Sequence, residues 1–335
     1  MNARFASAPR EQTRGFIVRR HGGPEVLEWT DPLALPRPCD SDLVVRQSFV
    51  GLNFFDVYSR RGDEQLPLPS GIGIEAGGTV EWVGSEVRSF QVGDRVAYAP
   101  LLGAYQEHRV LPASRAVLVP EALDLKVVAA SMVRGMTAYY LLHELRALPP
   151  GTVVLYHAAA GGLGLLFGQW ANHLGLRVIG TASSAAKRDK ALQVGYERVL
   201  PYGEFADGVK EITSGHGVTM VVDSVAGDCF SPSLEALAPR GLYVALGAAA
   251  GPRPPVDFEG LAQLGSLFIT RPTLRTYTAT GTDLQRSAAR WFDVLRSGAV
   301  RVGVDQEYPL RDAAEAHRAL EARETVGAGV LVTTR

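Results

Sequence analysis

The sequence predicts an α/β protein with two parts, a compact β-barrel-like part and a parallel sheet covered by helices on both faces. Its 335 residues exceed what one hydrophobic core usually supports, so we expect two domains. The first 130 or so residues contain short β-branched runs separated by Gly and Pro. From about residue 131 onward, apolar strands alternate with helical patterns.

Short strands with turn residues between them are typical of a barrel-like domain. We expect such strands in GFIVRRHGG, DLVVRQSFVGL, GGTVEWVG and DRVAYAP. Residues 1–14 lack the apolar segment of a secretory signal, and we expect a short disordered tail there. An Arg-rich, acid-poor start also fits a transit peptide, which is the alternative at this point.

The second part begins with a predicted helix over residues 131–145, which ends before Pro149 and Pro150. Strands are then expected at 153–157, 176–181, 220–225, 242–247 and 266–271, with helices between them. Because these strands are continuously apolar, they predict a parallel sheet buried on both faces. Two further helices and a final strand, AGVLVTT, follow.

A glycine-rich stretch follows the first strand of the second part and opens a helix. Ala159-Ala160-Gly161-Gly162-Leu163-Gly164 fits the pattern Gly-x-Gly-x-x-Gly, with alanine in place of its first glycine. Small residues let backbone N–H groups approach a pyrophosphate, and a helix N-terminus favours negative charge. In this strand–turn–helix context we expect a dinucleotide site on a Rossmann-type unit, with a merely structural turn as the alternative.

The end of the second strand favours NADPH over NADH. A carboxylate usually holds the ribose 2′-hydroxyl of NAD at this position. Here the strand ends in Gly180-Thr-Ala-Ser-Ser, followed by Lys187 and Arg188, so hydroxyls and cations face the expected 2′-phosphate. Alternatively, Lys187 and Arg188 form only a solvated helix face.

Composition argues against several other classes of function. The net charge of −1 gives no reason to expect nucleic acid or a membrane surface, and no apolar stretch is long enough to span a bilayer. Cys39 and Cys229 lie far apart, which suggests a reducing, cytoplasmic setting.

None of the seven histidines stands at ligand spacing from another His or Cys, so no metal is expected. We expect His157 to be a buried, hydrogen-bonded residue at a strand end.

Several motifs, taken in their order and spacing, give the chain a specific resemblance. They are HGGPEVLEW (21–29), GLNFFDVYSRRG (51–62), PSGIGIEAGGTVEWVGSEV (69–87), VGDRVAY (92–98), GAYQEH (103–108), RGMTAYYLL (134–142), HAAAGGLG (157–164) and SLFITRP (266–272). From about residue 15 to its C-terminus, the sequence resembles the zinc-free quinone oxidoreductase (zeta-crystallin) family of the medium-chain dehydrogenase/reductase superfamily.

The resemblance implies a GroES-like β-barrel catalytic domain, residues 1–132 and 273–335, with a Rossmann-fold cofactor domain, residues 133–272, inserted into it. Zinc-dependent relatives place Cys where this chain has Asn53 and His where it has Ile74, so the resemblance implies a zinc-free site. The glycine motif and the resemblance together give these NADPH contacts: Thr137, Gly161, Gly162, Leu163, Gly164, Ser183, Lys187, Tyr202, Gly247, Thr270 and Arg323.

Asn53 and Tyr58 match positions that line the active-site cleft of the family. Tyr58 is expected either to donate a hydrogen bond to a substrate carbonyl or to pack at a barrel edge. The pocket departs from the family pattern at three places. Asp63-Glu64-Gln65 replaces a segment that often holds a Tyr, and Arg134 occupies a position where Lys is frequent. Ala248-Ala249 replace residues that are usually more polar. A substrate other than a simple quinone is therefore compatible with the sequence.

We expect NADPH-dependent hydride transfer to a quinone or another conjugated carbonyl, without metal. The alternatives are an ene-reductase or biosynthetic enzyme for one α,β-unsaturated or polycyclic substrate, and a non-catalytic NADPH-binding or RNA-binding protein. An exposed apolar edge strand is a liability unless paired, so SLFITR predicts a homodimer through the Rossmann domain.

Overall fold

The computed structural model describes residues 9–322 and 327–333. Its strands, in chain order, are β1 (Gln12–Val18), β2 (Leu27–Ala34), β3 (Asp42–Gly51), β4 (Ala76–Val83), β5 (Arg95–Tyr98), β6 (His108–Pro112), β7 (Val117–Leu118), β8 (Val153–Tyr156), β9 (Arg177–Thr181), β10 (Arg198–Leu200), β11 (Val218–Asp223), β12 (Leu237–Ala245), β13 (Phe268–Thr270), β14 (Val304–Pro309) and β15 (Ala328–Val332).

The helices, in the same order, are α1 (Phe54–Arg61), α2 (Leu125–Ala129), α3 (Met132–His143), α4 (Gly162–His173), α5 (Ala185–Gln193), α6 (Phe205–Ile212), α7 (Phe230–Glu235), α8 (Phe258–Gln263), α9 (Leu274–Tyr277), α10 (Gly281–Ser297) and α11 (Ala313–Glu321). Across the described ranges, none of these helices is both long and apolar enough to cross a bilayer.

The chain divides into two compact units. The first comprises residues 1–136, 278–296 and 302–335, and the second comprises residues 137–277 and 297–301. The limits fall at 136/137 and 277/278, whereas the sequence predicts 132/133 and 272/273. The first limit moves because α3 runs continuously across the predicted position, so its first turn stays with unit one.

Unit one contains a seven-stranded sheet of order β14-β15-β3-β4-β5-β7, in which β6 also pairs with β3. The C-terminal strand β15 is antiparallel to β3, with Val330 opposite Gly51, so the chain returns to its first unit after the second is complete. Side chains from these strands fill one core that includes Val45, Val80 and Leu331. Strand β1 begins at Gln12, inside the expected N-terminal tail, and residues 1–8 of that tail lie outside the described residues.

Unit two contains a six-stranded parallel sheet of order β10-β9-β8-β11-β12-β13. This order is that of a Rossmann sheet, and it confirms the predicted α/β class. The central strands are buried on both faces because successive residues are apolar, as are Val221 and Val222 of β11. Strand β13 is shorter than predicted, three residues instead of six, because Ser266 adopts a left-handed backbone just before it.

Candidate active site

The glycine-rich stretch forms the turn between β8 and α4. Ala158 adopts a left-handed backbone with φ of 60°, and Gly161 caps the first turn of α4. A Cβ atom on Gly164 would lie 2.6 Å from the carbonyl oxygens of both Ala158 and Ala159, so only glycine lets the helix pack this closely on the turn. The first N–H groups of α4 have no partner within the helix, and they follow directly after the exposed N-cap residue Gly161.

This turn lies at the point where the strand order of the sheet reverses. From β8 the chain continues to β9 and β10 on one side, and it then crosses to β11, β12 and β13 on the other. Ligands of open α/β sheets bind outside the carboxyl ends of the strands at such a switch point. The fold thus puts the N-terminus of α4 at the switch point, which is the position that holds the pyrophosphate in dinucleotide-binding sheets of this order.

The segment after β9 has the chemistry of a phosphate site. Ser183 is exposed, Ser184 caps α5, and its hydroxyl accepts the N–H of Lys187 at 3.4 Å. The Lys187 side chain is exposed in the first turn of this helix. Tyr202 is half-buried near Thr181 and Ala158, and burial raises the pKa of its hydroxyl. Hydroxyls and a cation therefore lie at the end of β9 and in the first turn of α5, with no carboxylate between residues 181 and 188.

His157 joins the carboxyl ends of two strands. Its Nδ1 lies 2.9 Å from Thr181 Oγ1, and its Nε2 lies 2.8 Å from Ser233 Oγ. Because the Ser233 hydroxyl donates to the Cys229 carbonyl, it accepts from Nε2–H, and Nδ1 accepts from Thr181. Burial lowers the pKa of His157 to about 4, so the ring stays neutral. The prediction of a buried, hydrogen-bonded histidine is confirmed.

The strands on the other side of the switch point end in a second polar cluster. Buried Asp223 accepts the N–H groups of Val225 and Ala226, at 2.6 and 2.9 Å, and the hydroxyl of Tyr243. The N–H of Gly247 donates to the Asp223 carbonyl at 3.2 Å. Sequence reasoning missed Asp223, although an aspartate that ends an apolar strand is a signal that could have found it.

Two other predicted cofactor residues have less distinctive surroundings. Thr270 is half-buried and ends β13, where it pairs with Val244. Thr137 is buried in α3. Arg323 lies outside the described residues.

In unit one, Asn53 is held by two buried carboxyl groups. Its backbone N–H donates to Asp56 Oδ2 at 2.9 Å, and its side-chain Nδ2 donates to Glu75 Oε1 at 2.7 Å. The other oxygen of Glu75 accepts the N–H of Val133 at 2.6 Å. Burial raises the pKa of Glu75. The amide plane of Asn53 is therefore fixed by its neighbours.

A chain of directed hydrogen bonds continues from Asp56 into the core of unit one. Tyr105 Oη donates to Asp56 Oδ2 at 3.1 Å and lies 2.9 Å from His317 Nε2. Arg60 Nη1 lies 3.3 Å from His317 Nδ1, and Arg60 also pairs with Glu321 at 2.7 Å. Since a guanidinium can only donate, Nδ1 accepts, and Nε2–H then donates to Tyr105. Sequence reasoning missed this network, because its bonded partners are up to 261 residues apart.

Tyr58 is half-buried on α1, one helical turn after Phe54, and the two ring centroids are 6.1 Å apart. Phe54 is 45% exposed at the start of the same helix. Asn53 caps α1 and Tyr58 lies within the same helix, whose cap is fixed by Asp56. This placement is compatible with both roles expected for Tyr58.

The two positions that hold zinc ligands in zinc-dependent relatives have other contacts here. Asn53 is bound to Glu75, and Ile74 is a buried residue. Over residues 9–322 and 327–333, the structure contains no cluster of three or more His, Cys, Asp or Glu side chains arranged to hold a metal ion.

Comparisons with known proteins agree with the two units. Residues 40–121 match the alcohol dehydrogenase GroES-like domain, and residues 162–293 match the family described as zinc-binding dehydrogenase. A quinone oxidoreductase of Pseudomonas aeruginosa is 45% identical over 316 residues, which cover 93% of this chain and 97% of that protein. A 2-haloacrylate reductase of a Burkholderia species is 40% identical over 327 residues, covering 94% and 98%.

The crystal structure of Escherichia coli quinone oxidoreductase complexed with NADPH superposes with a TM-score of 0.91 at 40% identity, covering 96% of this chain and 100% of that one. The GroES-like and Rossmann assignments made from the sequence are therefore confirmed. By its sequence and its fold, the chain belongs to the quinone oxidoreductase family of the medium-chain dehydrogenase/reductase superfamily.

Proposed function

We propose that this protein is an NADPH-dependent reductase that delivers hydride to a quinone or another conjugated carbonyl without a metal ion. The observation that carries the proposal is the glycine turn, which puts the N-terminus of α4 at the switch point of a parallel sheet. The NADPH named for a related E. coli structure and the activity named for the P. aeruginosa relative support it.

The residues present fit this cofactor. The diphosphate would be held by the backbone of Gly161, Gly162, Leu163 and Gly164, where the helix N-terminus supplies donors and a favourable dipole. A 2′-phosphate would be held by Ser183 and Lys187, which follow β9, and by Tyr202, which lies near Thr181 at the end of that strand. Further contacts are proposed for these residues: Thr137, Gly247, Thr270 and Arg323.

Bound NADPH would supply the hydride, and the protein has to orient the acceptor and provide for its negative charge. Asn53 is suited to orientation because Glu75 fixes its amide at 2.7 Å. Tyr58 is proposed to donate a hydrogen bond to the carbonyl oxygen on which charge develops during hydride transfer.

We also propose a cytoplasmic homodimer. Exposed Cys39 and buried Cys229 are unpaired, which suits a reducing compartment. Strand β13 lies at the edge of its sheet and exposes 54% of Phe268, so pairing with a second copy would cover an apolar edge.

An acceptor panel tests the function. The oxidation of NADPH is followed with quinones, enones and enoyl thioesters, against controls without protein. Protein-dependent oxidation with at least one conjugated carbonyl is expected. NADPH binding without turnover on any acceptor would favour a non-catalytic role, and a ribonucleic acid titration would then be the next comparison.

A glycine substitution tests the proposed diphosphate site separately. In Gly161→Ala the new Cβ would lie 3.1 Å from the Ala158 carbonyl oxygen, at the exposed residue that caps α4. We expect NADPH affinity to fall about tenfold or more, as for the loss of one charge-assisted contact, with little change in thermal stability. Gly281→Ala is the control, since this residue lies in unit one and its Cβ would make only ordinary contacts, at 3.4 Å or more. Equal affinities in the two variants would contradict the assignment.

A further inference from the structure

Arg253 is a half-buried cation at the carboxyl edge of the sheet in unit two. Its Nη2 donates to the Gly247 carbonyl, and its Nε is buried without a hydrogen-bond partner. In the part of the chain that the structure describes, no carboxylate forms an ion pair with this guanidinium. A buried donor without an acceptor is costly, and the cost falls if a ligand supplies one.

The negative charge of Asp223, which lies beside Tyr243, is held by other groups. Asp223 accepts the Tyr243 hydroxyl and two backbone N–H groups, and Tyr243 separates its carboxylate from Arg253. The positive charge of Arg253 is therefore stabilised only indirectly, through a phenol. The guanidinium can therefore donate hydrogen bonds directly to a bound anion.

The strand order indicates which part of the ligand lies near Arg253. A dinucleotide spans the switch point, with its adenosine half at the end of the second strand, here β9, and its diphosphate at the first helix, here α4. The nicotinamide half then lies toward the ends of β11 and β12, where Gly247 and Arg253 are found. The two phosphate sites proposed for NADPH thus lie elsewhere on this edge, so an anion near Arg253 would belong to the acceptor.

We propose that Arg253 binds the carboxylate of the acceptor, and that α,β-unsaturated carboxylic acids are a substrate class of this enzyme. The proposal rests on the proposed function, and it names the acceptor of that same site. A relative that is 40% identical is named a 2-haloacrylate reductase, and a haloacrylate is such an acid.

A guanidinium beside the carboxylate would assist the reduction of such an acid. The β-carbon of the acid gains a hydride from NADPH, the α–β π bond breaks, and the α-carbon takes a proton from water. NADP⁺ and the saturated acid are the products. The electron pair displaced from the π bond spreads toward a carboxylate that is already negative, so a cation at that group stabilises the transition state more than the bound acid.

The test compares three acceptors in three proteins. The acceptors are 2-chloroacrylate, its neutral methyl ester and 1,4-naphthoquinone, and the proteins are wild type, Arg253→Met and Arg253→Lys. We expect Arg253→Met to lower kcat/KM for 2-chloroacrylate by about 10- to 150-fold, as for the loss of one charge-assisted contact. The ester and the quinone should change by less than about threefold, and Arg253→Lys should be intermediate. Lys210→Met, which removes an exposed cation from the same unit, should leave all three unchanged.

A binding measurement gives a second readout that does not need turnover. Saturated 2-chloropropionate is titrated calorimetrically into the protein with bound NADP⁺, and the affinity should fall in Arg253→Met by a similar factor. NADPH affinity is measured alongside. If NADPH affinity falls instead, the anion that Arg253 binds is a cofactor phosphate, and the proposal is overturned.

The remaining outcomes separate this proposal from the proposed function. Equal losses on acid and ester would make Arg253 a structural support for Gly247 and overturn the proposal. If wild type reduces the quinone but neither reduces nor binds the acid, the proposal fails while the proposed function stands. If no acceptor is reduced but the saturated acid still binds through Arg253, the proposed function fails and the carboxylate site is retained.

Discussion

Replacing Asp56 with asparagine should remove a pH dependence from the stability of the protein. Asp56 is fully buried, and burial raises its pKa from 3.8 to about 8. Between those values the folded protein binds one proton more than the unfolded chain. The stabilisation is therefore complete below pH 3.8 and is lost as the pH rises through the folded value. One proton corresponds to about 1.4 kcal/mol per pH unit, or about 3 kcal/mol between pH 5 and 7.

The assay is urea unfolding of wild type and Asp56→Asn at pH 5, 6 and 7. Asparagine keeps the acceptor oxygen that binds the N–H of Asn53 and the hydroxyl of Tyr105, so the geometry is largely preserved. The free energy of unfolding of wild type relative to the variant should fall by about 3 kcal/mol over this range. Asp207→Asn, at an exposed carboxylate, should show no such trend. A constant difference for Asp56→Asn would refute the reasoning, because it would mean that Asp56 is ionised throughout.

Four further predictions concern the cofactor, the metal, the assembly and the proton. Lys187→Ala should weaken NADPH binding about tenfold or more and leave the affinity for NADH almost unchanged, which fluorescence titration measures. Equal affinities of the wild type for the two cofactors would contradict this prediction. Elemental analysis should find no stoichiometric zinc, and chelator should not reduce activity, because Asn53 and Ile74 occupy the ligand positions; one zinc per chain would overturn this. Light scattering should give a dimer, and Phe268→Glu on the edge strand should shift it toward the monomer; a wild-type monomer at micromolar concentration would count against pairing. Tyr58→Phe should slow enone reduction about 100-fold or more and quinone reduction much less, since an enolate is more basic than a phenolate-like anion; equal losses would make Tyr58 a positioning residue.

The parts of the fold with strong local signals could be predicted from the sequence. Continuous apolar runs such as MVV in β11, and the turn of Ala158 to Gly164 between a strand and a helix, indicated the parallel sheet and the helix that follows its first strand. His157 was also placed correctly, because a polar residue at the end of a buried strand needs hydrogen-bond partners. In these cases the deciding interactions lie within a few residues of each other or follow from strand order.

The rest depends on contacts between distant parts of the chain. The residues near Asp56 in the sequence do not predict its connection to Tyr105 and His317, which lie 49 and 261 residues further along. The contact of Asn53 with Glu75, 22 residues further along, was missed for the same reason. The start of β13 also differs from the prediction, because Ser266 just before it has a left-handed backbone. A serine rarely adopts this conformation, so the sequence does not predict it.

The most direct test of the central claim is the cofactor-dependent reduction of one acceptor by chelator-treated protein. NADPH and NADH are compared at equal concentrations with 1,4-naphthoquinone, and oxidation is followed after subtraction of the rate without protein. The account predicts that NADPH is oxidised in a one-to-one ratio with quinone consumed, with a kcat/KM about tenfold or more above that for NADH. Oxidation that requires added zinc, or equal rates with the two cofactors, would contradict it.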